Sequence, residues 1–149
     1  TKKFRAIFKL PYRPGTLKAV ALDKSGSALG ETTLQTAGQK NRLHLAPEKT
    51  TLRADGQSLC FIPITLTDAA GIWKPCANAK VHLEIEGPAA LQALGSAATQ
   101  TDETYLGSSH TTWLGRALAV IRAGTEPGKV RVTVTAEGYE PQYVDLTLE

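Results

Sequence analysis

From residue 42 onward this chain alternates apolar and polar positions, with turn signals roughly every 8–12 residues. In KVHLEIE (80–86), Val81, Leu83 and Ile85 share one parity while His82, Glu84 and Glu86 share the other. A two-residue period sends alternate side chains to opposite faces of a strand, so one face is buried and the other solvated. Helical spacing is almost absent. The fold class that follows is all-β, an immunoglobulin-like β-sandwich.

The strands can be laid out in order. A broken first strand covers 42–46 and 51–54, interrupted at Pro47, where a missing N–H is tolerated at an edge. Residues 59–67 and 80–86 are the next two strands, and 90–94 is a short one. A long polar loop spans 95–111. Residues 112–122 read as one bent strand or a strand pair, with Gly115 as a bulge. Residues 129–136 and 142–148 complete about seven strands, the usual complement of such a sandwich.

The first 38 residues follow a different plan. Strands are expected over 3–10, 16–23 and 28–36, with residues 37–41 as a linker. Three strands alone are near the limit of independent stability. Residues 1–38 therefore read as the C-terminal part of a preceding Ig-like β domain, and 39–149 as a complete one. The opening segment is expected to pack on the following domain, or to pair with another copy of the chain through residues 1–38. The chain contains no methionine, which marks it as an expected piece of a longer protein. TKKFRAIFKL alternates and is read as a strand, not a secretion leader.

Net charge is +3 over 149 residues. Residues 1–40 carry +6 and residues 41–149 carry −3, by count of Lys, Arg, Asp and Glu. Lys3, Arg5 and Lys9 share one parity, opposite Phe4, Ala6, Phe8 and Leu10, so the basic segment is a solvated strand face; no nucleic-acid partner is expected. Apolar runs are too short to span a bilayer, so no membrane partner is expected either.

The two cysteines are Cys60 and Cys76. If 59–68 and 73–86 paired as a hairpin, the two would be offset by about 13 Å along a strand. A disulfide needs Cα atoms within about 7 Å, so two buried free thiols are expected.

No catalytic set converges. Glu84 and Glu86 stand about 6.6 Å apart by strand rise, near the separation of a retaining glycosidase pair, but both on one open, solvated face and not in the unlike environments such a pair needs. Ser108, Ser109 and His110 lack a nucleophile elbow. His44, His82 and His110 have no metal-ligand spacing with the cysteines, and Asp102 with Glu103 falls short of a calcium loop. No cofactor motif and no metal site is expected. The remaining candidates are aromatic. Trp73 and Tyr105 could stack on a pyranose, although Trp73 also suits loop anchoring and Trp113 suits core or interface packing.

FKLPYRPGTLKAVALDKSGSALGETTLQTAG resembles the close of an Ig-like domain found after the catalytic barrel of bacterial family 2 glycoside hydrolases. LAPEKTTLRADGQSLCFIPITLTDAAGIWKPCANAKVHLEIEGPAALQALGS and WLGRALAVIRAGTEPGKVRVTVTAEG are similar to the next Ig-like domain of β-galactosidases in that family. The resemblance implies a non-catalytic region that braces the barrel, with the other domains of the parent hydrolase as partners and an exported or periplasmic location. It departs at Gly95-Ser96-Ala97-Ala98, where relatives carry an Asn-Gly-Asn/Asp-like turn. The alternative reading is a bacterial adhesin- or invasin-type Ig repeat, or a carbohydrate-binding module.

Overall fold

The computed structural model describes residues 5–149. It divides into two units, Thr1–Thr36 and Ala37–Glu149.

The first unit is a hairpin of β1 (Thr16–Leu22) and β2 (Ala28–Gln35). Asp23 closes its turn by accepting the N–H groups of Ser25 and Ser27, both at 2.8 Å. Leu17 lies opposite Leu34, and Ala19 opposite Thr32. Every residue of both strands is exposed. The expected strand over 3–10 is not formed where it can be judged. Residues 3 and 4 lie outside the described residues, Arg5 makes a single bridge, and 6–13 belong to no strand. The physical reason is the want of a partner. Ile7, Phe8 and Leu10 are all exposed, so the alternation has no covered face to set it, and Pro11 and Pro14 end any ladder.

The second unit is a two-sheet sandwich. One sheet has the order β4-β11-β10-β6-β8 and the other β3-β5-β9-β7. In chain order these are β3 (Asn41–Leu45), β4 (Thr51–Leu52), β5 (Leu59–Asp68), β6 (Lys80–Glu86), β7 (Ala89–Gly95), β8 (Ser109–Thr111), β9 (Arg116–Ala123), β10 (Gly128–Ala136) and β11 (Tyr139–Leu148). The core lies between the sheets. Ile62, Ile64, Leu66 and Ile121 come from one side, and Val81, Val130, Val132 and Leu146 from the other, each without measurable or with near-zero exposure.

Several expectations change in detail. The break at Pro47 is a change of sheet: β3 pairs with β5, while β4 joins the other sheet parallel to β11. The pairing of 59–68 with 73–86 goes no further than a single Thr67–Trp73 bridge, because β5 and β6 lie in different sheets. Both thiols are free, but Cys76 is exposed and only Cys60 is buried. Cys60 donates to Lys49 O at 3.2 Å, and desolvation raises its thiol above the usual value. The loop 95–111 closes with β8, which adds an edge strand beside β6.

Gly115 is a turn residue, not a bulge. Trp113 and Arg116 exchange both backbone N–H···O bonds, at 2.8 and 3.0 Å, across Leu114-Gly115. Both central residues have positive φ, +49° at Leu114 and +69° at Gly115. This is the two-residue connection whose twist matches that of antiparallel strands. Trp113 is exposed there instead of filling the core.

The segment read as a linker is held by the sandwich. Asp68, buried at the end of β5, accepts the Gly38 N–H at 2.6 Å and the Ile72 and Ala70 N–H groups at 2.8 and 2.9 Å. Lys74 Nζ donates to Gln39 O and Asn41 Oδ1. The bond from Gly38, followed by that from Ile72, holds the Asp68 carboxyl below the ordinary carboxylate range. A depressed folded-state pKa means the contribution is present above the unfolded value, near 3.9, and is lost as pH falls through the folded one. Acid titration followed by circular dichroism is therefore expected to show instability beginning below about pH 4. In Asp68→Asn the pH dependence of stability over that window is expected to be shallower.

Candidate functional site

Four groups of residues carry chemistry in the sandwich. The first is the outer face of the five-stranded sheet. Glu84 and Glu86 lie opposite Thr133 and Arg131 of β10. Both are exposed. Arg131 donates from Nε and Nη2 to Asp145, at 2.8 and 3.0 Å, and its guanidinium lies 4.3 Å from the centre of the Tyr143 ring. The pair with Arg131 lowers the Asp145 pKa. A shallow cleft runs past Glu86, Lys129, Arg131 and Asp145. Its carboxylates are solvated or paired with cations. A general acid requires the opposite, a carboxyl whose charged form is disfavoured.

The second group is the end of the long loop. His110 has 0% exposure. Its Nδ1–H donates to Thr111 O at 2.9 Å, and its ring stacks on Tyr105 with centroids 5.3 Å apart. Glu103 accepts the Thr111 N–H at 2.7 Å and pairs with Lys80 at 3.2 Å. The Thr111 N–H is the largest cause of its lowered pKa. Ser109 Oγ meets His82 Nδ1 at 2.9 Å, not His110. The Ser-Ser-His run therefore provides no serine activated by its neighbouring histidine. Nor does Glu103 stand free beside Asp102 as a cation ligand. Among the described residues no group of three or more His, Cys, Asp or Glu side chains is placed to hold a metal.

Tyr105 and Trp73, the two aromatic candidates, are both engaged. Tyr105 covers His110, and a Cβ at Gly95 would overlap its ring. Trp73 donates from Nε1 to Leu114 O at 2.9 Å, and Arg116 lies 4.0 Å from its ring centre. The indole thus ties the 72–74 segment to the 113–116 hairpin. The indole thereby serves as a loop anchor, with the Arg116 guanidinium over its ring.

The fourth group was not singled out in the sequence. It is the outer face of the four-stranded sheet, where Phe61 lies opposite Val120 and Pro63 opposite Leu118. The signal was present: in LCFIPITL the outward positions Phe61 and Pro63 are as apolar as the inward ones. Such a run breaks the alternation that a solvated face would keep.

Comparison with known proteins places this architecture. Residues 43–145 match the family described as glycoside hydrolase family 2 C-terminal domain 5. A curated relative, the β-galactosidase BoGH2A of Bacteroides ovatus, is 28% identical over 142 residues, covering 95% of this chain and 17% of its own length. A family 2 glycosyl hydrolase structure from Bacteroides cellulosilyticus superposes with a TM-score of 0.89 at 33% identity, covering 94% of this chain and 18% of that one. The D00-D0 domain of intimin shares the fold alone, with a TM-score of 0.56 at 20% identity over 92% of this chain and 66% of that one. This chain thus spans about a sixth of the length of the hydrolases it matches. With the family match covering most of its length and both sheets of the sandwich, the chain belongs to the glycoside hydrolase family 2 C-terminal domain 5 family.

Proposed function

We propose that this chain is an accessory β-sandwich region of a β-galactosidase-like family 2 hydrolase, and that it braces the catalytic barrel without taking part in bond cleavage. The observation that carries this reading is the match of residues 43–145 to a C-terminal domain of that family. The electrostatics agree with it. Retaining hydrolysis needs two carboxyl groups in unlike environments, one of them with a raised pKa. Here the shifted carboxyls, Asp55, Asp68, Glu103 and Asp145 among them, all shift downward. The hairpin's exposed apolar pairs, Leu17 with Leu34 above all, would find their cover in the parent's other domains, where residues 1–38 would close a preceding Ig-like domain.

The test compares three proteins on an aryl β-galactoside: the parent, the parent lacking residues 37–149, and this 149-residue chain. The expected result is turnover by the parent and none by the chain alone. The truncated parent should inactivate at lower temperature while its surviving molecules keep their turnover. Release of the aryl alcohol by the chain alone would refute the accessory role. A truncation without effect on thermal inactivation would refute the bracing role.

A further inference from the structure

The outer face of the four-stranded sheet is built unlike a surface meant for water. At its centre the cross-strand pairs Phe61–Val120 and Pro63–Leu118 place four apolar side chains side by side. Phe61 is 37% and Leu118 40% exposed. The face continues to the 113–116 hairpin. Trp113 pairs with Arg116 and so shares its side of the sheet, and Trp73 pairs with Thr67 at the end of β5. Trp113 is 43% and Trp73 38% exposed. Of the eight large apolar side chains exposed within residues 37–149, five belong to this face or its hairpin tip. Clustering of this kind marks a contact surface, whereas single exposed apolar residues do not.

The polar residues point the same way. Arg42 and His44 flank the patch on β3, opposite Thr67 and Thr65. Arg116 and Arg122 flank it on β9, opposite Thr65 and Leu59. Arg42, Arg116 and Arg122 make no ion pair among the described residues. The acid that borders the patch, Glu48, gives its N–H to Phe61 O and faces Lys49 at 3.9 Å. Tryptophan, phenylalanine and arginine together, with acids scarce, is the composition of binding hot spots. The opposite face of the sandwich differs: there Glu84, Glu86 and Asp145 alternate with Lys129 and Arg131, and Arg131 is paired with Asp145 within the face.

We propose that this face is the surface by which the sandwich docks on another domain of its parent polypeptide, against an apolar patch rimmed by carboxylates. The unpaired guanidinium groups supply the charge complementarity, and the aromatic and proline centre supplies the desolvated contact. The proposal rests on the accessory reading above and deepens it by assigning the face that does the bracing.

Cysteine accessibility tests it in the full-length parent. In a Cys76→Ser background, single cysteines are introduced at Leu118 and, as a control on the other sheet, at Tyr143. Maleimide labelling is read by mass spectrometry of the peptides carrying these positions. In this 149-residue chain both cysteines should label at similar rates. In the parent, Leu118→Cys should label about tenfold more slowly than Tyr143→Cys, as expected for a contact closed about nine-tenths of the time. Arg122→Glu, or molar salt, should restore labelling at 118 without changing it at 143, because a rim charge acts through screened attraction. Equal labelling of position 118 in the parent and in the isolated chain would overturn the proposal. So would protection that rises with protein concentration, which would assign the face to a second copy. Protection appearing only with added polysaccharide would assign it to a glycan and equally overturn it. The labelling pattern is independent of turnover: a parent that cleaves no β-galactoside but protects position 118 would refute the assigned activity and leave the docking face standing.

Discussion

Gly115→Ala should destabilise the sandwich by about 2–4 kcal/mol, the range for a substitution that combines backbone strain with steric overlap. Two effects add. Gly115 sits at φ +69°, a left-handed conformation that costs an L-residue with a Cβ roughly 1–2 kcal/mol. The new Cβ would also stand 2.5 Å from Lys74 O and 3.2 Å from Trp73 Nε1. Neither neighbour is free to withdraw. The Lys74 backbone is fixed by its N–H bond to Leu66 O at 2.9 Å, and the indole by its bond to Leu114 O. Relief therefore requires opening the hairpin, and with it the Leu66 N–H to Gly115 O bond at 2.8 Å. Urea unfolding followed by tryptophan fluorescence checks this, because Trp73 and Trp113 both report on that corner. Leu114→Gly is the companion variant. It relieves a side chain held at φ +49° and half exposed, so it should leave stability unchanged or higher. If Gly115→Ala unfolds at the wild-type denaturant concentration, the turn does not constrain this corner of the sandwich.

Ile62→Ala is expected to cost about 3–4 kcal/mol, within the range for emptying a buried aliphatic site. Ile62 has no exposure and lies opposite Ala119 on β9. The inward positions of β9 are mostly small, namely Ala117, Ala119 and Ala123 around Ile121. The isoleucines and leucines of β5 and β3 therefore fill the space that β9 leaves. With only an alanine directly opposite, β9 has little side chain at that position to relax into the void, which places the cost toward the upper part of the range. Ile62→Val should cost only about 1 kcal/mol. The same denaturation experiment measures both, and a difference between them under about 1 kcal/mol would show that the site repacks.

The two variants mark different kinds of legibility. The core was readable because its residues repeat every second position: Val81, Leu83 and Ile85 were placed on one face by the alternation, and the first two are buried while Ile85 is half-buried against the core. The Gly115 turn was not readable as a turn. The usual signal for two successive positive φ values is Asn-Gly or Asp-Gly, and here leucine occupies the first position, held there by the Trp73 indole from a segment some 40 residues earlier in sequence. His110 was similarly opaque. It looked like part of a polar loop, yet it is fully enclosed, with Tyr105 stacked on its ring. The break at Pro47 was visible, but whether it interrupted one strand or moved the chain between sheets depends on partners more than 90 residues away on β11.

The candidate chemistry followed the same division. That Glu84 and Glu86 stand on an open face was legible in their parity, and the structure keeps them there. That Ser109 turns to His82 and not to its sequence neighbour depends on β6 and β8 lying side by side. Trp73 and Tyr105 were legible as aromatics in loops. What each ring covers was not, because Arg116 and His110 reach them from other strands.

By itself the sequence determined a stacked-sheet architecture, its inward residues and most of its turns, because side-chain parity and turn chemistry act between residues close together in the chain. Only the tertiary structure decided which strands share a sheet, which aromatics are anchors, and that β5 and β9 together present an apolar, arginine-rimmed face. Those outcomes depend on which distant segments are brought within reach of one another, and no local period records that.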